Sequence, residues 1–206
     1  MTPPVATRQD TRTLLIEAGI DLMYEKGYSN TGIQEILQRV GVPKGSFYHY
    51  FESKEDFALK MIEQFQVQCG AKLERILKNT QVSPLARLKN YCEEGKRDLE
   101  ASSCRKGCLI GNLSMEMADQ SERLRAALST VMARWRDNFT TCITEGQAAG
   151  EISQAWDAAK MAELFICGWE GAIMRAKSSK SLEPLDLFIE LMFTHVLQSK
   201  TLCKTD

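Results

Sequence analysis

The 206-residue chain has no excess of charge of either sign, since 26 Lys and Arg residues stand against 27 Asp and Glu residues. A diffuse cationic surface for nucleic acid or membrane is therefore excluded, and any binding of a polyanion must be local. No apolar run approaches the roughly 20 residues that a membrane-spanning helix needs. The N-terminal stretch MTPPVATRQDTR lacks the apolar core of a signal peptide. We therefore expect a soluble, cytoplasmic protein with no membrane partner.

Motifs for metal binding and for catalysis are also missing. The seven cysteines are odd in number and form no C-x-x-C pair, and the chain has two histidines. Reduced thiols are therefore expected instead of a disulfide framework, and neither a zinc site nor another cofactor is predicted. The sequence contains no nucleotide-binding loop or hydrolase elbow, so we do not expect an enzyme.

Alternating strand patterns are absent, and apolar residues recur at three- and four-residue spacing instead. This pattern predicts an all-α protein. We expect a disordered arm over residues 1–9, a small three-helix domain over 10–52 and a larger helical domain over 53–206. The predicted helices cover residues 10–27, 31–40, 42–51, 53–78, 84–101, 108–118, 121–148, 157–177 and 182–199.

Local signals set several of these boundaries. Thr31 and Gln34 fit a capping box, which predicts that the second helix starts at Thr31. That helix is expected to stop at Gly41, in a tight turn before the third helix. Ser53 and Asp56 form a similar signature at the start of the fourth helix.

Residues 42–51, VPKGSFYHYF, concentrate aromatic side chains beside a lysine. On a helix, Phe47, Tyr50 and Phe51 share one face by their i, i+3, i+4 spacing, and a place in the core explains the two phenylalanines. Packing explains poorly why further aromatic and imidazole side chains lie outside this apolar stripe. The side chains on that other face belong to Lys44, Tyr48 and His49.

Two short helices joined by a turn at Gly41 have the dimensions of a helix-turn-helix, whose second helix enters the major groove of DNA. A lysine can meet a phosphate or a guanine edge, and Ser, Tyr and His side chains can donate hydrogen bonds to phosphates or bases. A glycine allows the backbone to approach the groove. The candidate DNA-binding residues are Thr31, Gln34, Lys44, Gly45, Ser46, Tyr48, His49 and Lys54.

The run TGIQEILQRVGVPKGSFYHYFESKEDF resembles the DNA-binding segment of the TetR/AcrR family of bacterial transcriptional repressors. The similarity covers about residues 10–60 and includes the Gly-Val turn, the Lys-Gly-Ser-Phe-Tyr-x-Tyr-Phe helix and the Ser-Lys-Glu start of the fourth helix. Pro43 stands where Ser is commoner in the family. The resemblance implies a reading head of three helices, a divergent ligand-binding domain, a homodimer, and release of operator DNA when a small-molecule inducer binds.

Family members dimerise through their last two helices, which here are the predicted helices 157–177 and 182–199. Both are apolar around much of their circumference, and Gly168 and Gly171 would permit close helix approach. Two buried core helices of a monomer are the alternative. A twofold dimer would present two heads about 34 Å apart, so double-stranded operator DNA should carry an inverted repeat.

Cys108 is the candidate sensor residue. It is predicted to open a short helix beside Arg105 and Lys106, where a thiol should ionise more readily than elsewhere. The Gly-Cys-Leu sequence here and the segment 174–185 resemble the branch of the family that includes the electrophile-sensing repressor of the N-ethylmaleimide reductase operon. The resemblance adds Lys177 as a candidate cationic neighbour, and Cys104 is a further neighbour in sequence.

Two alternatives stay open for the sensor. Cys108 could be a small buried hydrophobic residue, in which case the same repressor fold would take a noncovalent hydrophobic inducer. Aromatic and methionine side chains of the middle helices would then either form the core or line a ligand cavity. The candidate pocket residues are Met115, Trp135, Phe139, Phe165, Trp169 and Met174.

Overall fold

A computed structural model describes residues 8–198 of the chain, with side chains from Thr11 onward. The all-α prediction is confirmed: these residues form nine α-helices and contain no β-strand, although an isolated bridge pairs Ile152 with Gln198. The helices are α1 (Arg8–Lys26), α2 (Ile33–Val40), α3 (Gly45–Tyr50), α4 (Lys54–Leu77), α5 (Pro84–Ala101), α6 (Leu109–Met117), α7 (Glu122–Ala148), α8 (Ala158–Ser179) and α9 (Glu183–Leu191).

The two ends of the chain differ from the predicted boundaries. The predicted arm over 1–9 lies outside the described residues except for its last two, which begin α1. The predicted helix 182–199 is interrupted, because α9 ends at Leu191 and a π-helical turn follows over Met192–Val196. The backbone N–H of Leu197 donates to the carbonyl of Met192 at 2.8 Å, which is the i→i+5 bond of this wider turn.

The stop and start signals around the third helix are confirmed. Gly41 has φ +75°, and its N–H donates to the Leu37 carbonyl at 2.9 Å, as expected for a left-handed helix end. At the start of α4 the hydroxyl of Ser53 accepts from the backbone N–H of Asp56 at 3.0 Å. The carboxylate of Asp56 in turn accepts from the N–H of Glu52 at 3.1 Å.

The capping box predicted for Thr31 and Gln34 is wrong. Gly32 is the N-cap of α2, which begins at Ile33. Thr31 is fully buried, and its hydroxyl donates to the carbonyl of Gly27 at 2.6 Å, at the end of the preceding helix. A threonine hydroxyl can satisfy either partner, and sequence spacing does not distinguish a bond to the next helix from one to the last helix.

The chain divides into two compact units. The N-terminal unit holds the residues up to Gln68 together with Leu109–Val131, and the C-terminal unit holds Cys69–Cys108 and the residues from Met132 onward. This division differs from the predicted boundary at residue 52, because the first half of α4, all of α6 and the start of α7 pack with the N-terminal helices. The last two of these segments are distant in sequence, so the local pattern gave no sign of them.

The core of the N-terminal unit contains an aromatic cluster. Phe47, Phe51 and Phe57 are buried, with ring centroids 4.8 to 5.3 Å apart. Gly19 of α1 brings the backbone close to this cluster, since a Cβ atom at that position would lie 2.3 Å from the Phe57 ring. The rotation of α3 about its axis is therefore set by burial of its apolar face.

Adjacent aromatic residues on α3 provide a test of this arrangement. Phe47→Ala should lower the free energy of unfolding by about 3 to 5 kcal/mol, because it leaves a cavity in the core. Tyr48→Ala, at a side chain that is 58% exposed, should change it by less than about 0.5 kcal/mol. Urea unfolding of the two variants checks this, and similar losses for both would contradict the assignment of faces.

Candidate functional site

The exposed face of α3 carries the side chains that the sequence selected for DNA. Lys44 stands at the N-cap of α3, and the residues Lys44, Gly45, Tyr48 and His49 are exposed. Ser46 is half-buried. Because Phe47 and Phe51 hold the opposite face in the core, the predicted separation of faces on this helix is confirmed. Contact of these side chains with DNA remains a prediction.

At Gly45, neither the backbone conformation nor the packing within the chain requires a glycine. A Cβ atom there would meet nothing within 4 Å, in contrast to the crowded position of Gly19. This open space agrees with the expectation that the backbone at Gly45 can come close to the groove of DNA. On α2, Gln34 is also exposed and available for contact.

Thr31 and Lys54 are placed differently from the other candidates. The buried side chain of Thr31 does not reach the surface, so its direct contact with DNA is not supported. Lys54 is half-buried, and its ammonium group donates to the Ser29 carbonyl at 3.3 Å and lies 4.4 Å from the centre of the Tyr28 ring. Burial lowers the pKa of Lys54, and the carboxylate of Glu116 opposes this shift. In the protein alone, the ammonium group of Lys54 therefore already contacts other residues of the chain.

The segment that presents Cys108 has an unusual backbone. Ser103, Cys104 and Gly107 have φ values of +49°, +55° and +71°, in the left-handed region that non-glycine residues rarely adopt. The ammonium group of Lys180 donates to the Cys104 carbonyl at 3.2 Å, and that of Lys177 donates to the Lys106 carbonyl at 3.3 Å. These two lysines at the end of α8 therefore hold the backbone of the segment.

The contact that the structure gives for Cys108 is with a carboxyl group, and its predicted cationic neighbours stay a prediction. The thiol is half-buried and hydrogen-bonds with the carboxyl group of Glu170 on α8. Lys106 and Arg105 are exposed, and burial lowers the pKa of Lys177. Cys104 is buried, and both it and Cys108 are free thiols, not a disulfide.

Glu170 is the residue that the sequence reasoning missed. Burial raises the pKa of its carboxyl group, and the hydrogen bond with Cys108 opposes that shift. Burial also raises the pKa of the neighbouring Tyr91, with contributions from the charges of Glu170 and Cys108. The sequence did contain one signal, because the carboxylate of Glu170 interrupts the apolar stretch MAELFICGWEGAIM. Spacing alone, however, could not pair Glu170 with Cys108.

The candidate ligand pocket is corrected in part. Trp135, Phe139, Phe165 and Trp169 are buried, and the rings of Phe139 and Phe165 pack with their centroids 4.9 Å apart. Met115 and Met174 are 85% and 60% exposed and line no interior cavity. Each lies on the side of its helix opposite the buried residues, a helical phase that composition alone does not give. The four aromatic residues are buried, as expected both for core residues and for residues that line an enclosed cavity, so their place in a pocket stays a prediction.

An apolar groove lies instead on the surface of α8 and α9. Gly171 and Leu187 are among its lining residues, and Leu164 and Leu191 leave 54% and 45% of their surfaces exposed on the same two helices. Gly168 and Gly171, which were both predicted to allow close helix approach, have different surroundings. A Cβ atom at Gly168 would lie 2.6 Å from the Phe188 ring of the same chain, whereas one at Gly171 would meet nothing within 4 Å.

Comparison with known families agrees with this architecture. Residues 15–61 match the bacterial regulatory proteins of the tetR family, and residues 84–192 match the C-terminal domain of tetracyclin repressor-like proteins. The chain belongs to the tetR family of bacterial regulators. The family predicted from the helix-turn-helix motif is thus confirmed, and its known members are regulators of transcription, not enzymes.

Three relatives match over most of their length. The chain is 40% identical to the transcriptional regulator AcuR of Cereibacter sphaeroides over 88% of this chain and 83% of that protein. It is 36% identical to the repressor DhaR of Mycobacterium sp. (93% and 95%) and 30% identical to the repressor NemR of Escherichia coli (87% and 90%). The similarity predicted to a branch that includes this last kind of repressor is confirmed.

Solved structures share the whole fold. A regulatory protein TetR from Rhodobacter sphaeroides superposes with a TM-score of 0.86 at 39% identity, covering 90% of this chain and 98% of that one. The reduced form of Escherichia coli NemR gives 0.84 at 28% identity, covering 93% and 100%. Over residues 8–198, no helix is long and apolar enough to cross a membrane, and no group of three or more potential ligands is placed to hold a metal ion.

The exposed face of α3 yields a test of DNA recognition. Lys44→Ala should weaken binding to the DNA upstream of the protein's own gene and reduce the salt-dependence slope by about 1, because it removes one phosphate contact. Tyr48→Ala should cost about 1 to 3 kcal/mol at the operator, the usual worth of a base contact. Fluorescence anisotropy at several salt concentrations measures both.

Lys60→Ala is the matched control, because this lysine of α4 pairs with Glu63 at 3.2 Å and lies outside the candidate surface. It should leave the affinity within about twofold of wild type. Equal losses in the Lys44 and Lys60 variants would contradict the assignment of α3 as the reading helix.

Proposed function

We propose that this protein is a homodimeric, cytoplasmic transcriptional repressor that binds an inverted-repeat operator and releases it on sensing a small molecule. The observation that carries the proposal is the exposed polar face of α3, opposite a buried aromatic face, in a chain of the tetR family. Relatives of similar length bear the name of repressor, which supports repression as the outcome of binding.

The apolar surface of α8 and α9 supports dimerisation. Leu187 and Leu191 of α9 are 56% and 45% exposed and line the groove together with the open position of Gly171, and Leu164 of α8 is 54% exposed. Exposed apolar patches on a soluble protein mark interaction sites, and a symmetric pair of such patches would bury one another. A twofold pair would hold two copies of α3 about one helical repeat of DNA apart, which accounts for the inverted repeat.

The inducer acts through a difference in affinity between two states. A ligand that prefers the non-binding state by about 2.7 kcal/mol weakens operator binding roughly a hundredfold. We place the sensing step at Cys108, with an α,β-unsaturated carbonyl compound as the chemical class. The sulfur would bond to the β-carbon, the electron pair of the double bond would move to the α-carbon, and the thiol proton would end there. Escherichia coli NemR was solved in a reduced form, and a redox state of that relative supports a reactive group in this chain.

A noncovalent hydrophobic inducer is the second candidate, with Cys108 in a structural role. One observation favours it: Cys108 hydrogen-bonds with the carboxyl group of Glu170. A neighbouring carboxylate disfavours a second negative charge, whereas a lysine or arginine would favour it. The two candidates differ in whether release of DNA needs the sulfur atom.

Dimerisation is tested by charges on the apolar surface. Leu187→Glu and Leu191→Glu should each remove about 1.5 to 3 kcal/mol of burial, and together they should give a monomer by analytical ultracentrifugation. Leu14→Glu is the control, because Leu14 of α1 is also 44% exposed but lies outside this surface. A double variant that stays dimeric would contradict the proposed interface.

Covalent sensing is tested by replacing the sulfur. Addition of N-ethylmaleimide to the wild-type complex should release the DNA, and mass spectrometry should find the adduct at Cys108. Cys108→Ser should bind DNA normally but resist release. The control is Cys167→Ser, because Cys167 is a free thiol that is more exposed than Cys108, and its loss should not alter release.

The same experiment separates the two candidates for the inducer. Release of the Cys108→Ser complex at the wild-type dose would rule out covalent sensing at this residue. The noncovalent inducer would then be the better account.

A further inference from the structure

The turn between α1 and α2 is held by a side chain from α6. Glu116 accepts hydrogen bonds from the backbone N–H groups of Tyr28 and Ser29, each at 2.7 Å. One carboxylate oxygen serves each donor, so the pair of N–H groups is bound at two points. Hydrogen bonds to a charged group are roughly twice as strong as neutral ones, and two together fix direction as well as distance.

Gly27 shows that the turn is shaped around this carboxylate. Its φ is +80°, which ends α1 in the left-handed region where glycine is favoured. A Cβ atom at this position would also lie 2.7 Å from Oε2 of Glu116. A side chain at position 27 would therefore strain the backbone and displace the carboxylate at the same time.

Lys54 joins the same cluster from the start of α4. Its ammonium group donates to the carbonyl of Ser29 and lies over the ring of Tyr28, while its charge interacts with Glu116. The turn therefore connects the end of α1, the approach to α2 and the first residue of α4. All of these elements belong to the N-terminal unit.

The carboxyl group of Glu116 is held in its charged form. Burial alone would raise its pKa, but the hydrogen bonds from Ser29 and Tyr28 and the charge of Lys54 outweigh burial and keep the pKa below its usual value. Because the folded-state pKa is lowered, the bonds are fully present at neutral pH and are lost only in acid, as the carboxylate is protonated.

We infer that Glu116 is a positioning residue for operator binding. Through Glu116, α6 fixes the turn before α2, and with it the placement of α2 and Lys54 for DNA. The inference rests on operator binding as proposed above but not on the identity of the inducer. Cys108 directly precedes the first residue of α6, so the helix that carries Glu116 continues from the proposed sensing residue.

Glu116→Gln is the direct test, with full-length protein and no inducer. The amide keeps one acceptor but turns an N–H₂ group toward a backbone donor, so the turn loses its two-point attachment. Affinity for the operator should fall about tenfold, the usual effect of one lost hydrogen bond to a charged group. Affinity for random-sequence DNA should stay within about twofold, because phosphate attraction does not depend on this placement.

Glu122→Gln is the matched control. It makes the same change of charge in the N-terminal unit, at an exposed carboxylate that pairs with Arg125 of its own helix. Removal of a negative charge by itself draws DNA closer, so this variant should bind equally or more tightly. The inference is overturned if Glu116→Gln behaves like Glu122→Gln, or if it loses operator and random-sequence affinity in equal measure.

Glu116→Asp extends the test if the glutamine variant does not fold. The aspartate keeps the charge but is one methylene shorter, so it can reach one N–H group and should lose a smaller factor of operator affinity than glutamine. Operator affinity equal to wild type in this variant would also overturn the inference. Failure of wild-type protein to bind any operator would instead overturn the proposed function.

Discussion

Burial of one face of α3 is the constraint on which DNA recognition depends. Phe47 and Phe51 pack against Phe57 of α4 in a core that α1 approaches closely at Gly19. Once these rings are buried, helical periodicity places Lys44, Tyr48 and His49 at the surface. These side chains therefore form a small binding site on a chain that is nearly neutral. A site of this size agrees with the exclusion of a diffuse cationic surface.

The second level of organisation is polar and non-local. The carboxylate of Glu116 orders backbone N–H groups beside the reading head, and that of Glu170 meets the thiol of Cys108 in the C-terminal unit. In each contact, an acidic side chain from a later helix binds a group that lies in or beside a proposed functional site. Neither carboxylate contact was predicted from the sequence.

Features determined by neighbours in sequence could be predicted well. Most helix boundaries, the left-handed turn at Gly41, the cap at Ser53 and the two faces of α3 follow from spacing and local hydrogen bonding. Features determined by helix rotation or by distant contacts could not. Thr31 has two equally suitable partners within four residues, Met115 and Met174 required the phase of their helices, and Glu116 lies 88 residues from Tyr28.

The central claim is that a symmetric pair of these chains inserts two copies of α3 into the major groove. Hydroxyl-radical footprinting of the wild-type complex on the DNA upstream of its own gene tests this most directly. The account predicts two protected stretches related by twofold symmetry, with their centres about 34 Å apart on one face of the duplex. A single unpaired stretch, or uniform protection without symmetry, would contradict it.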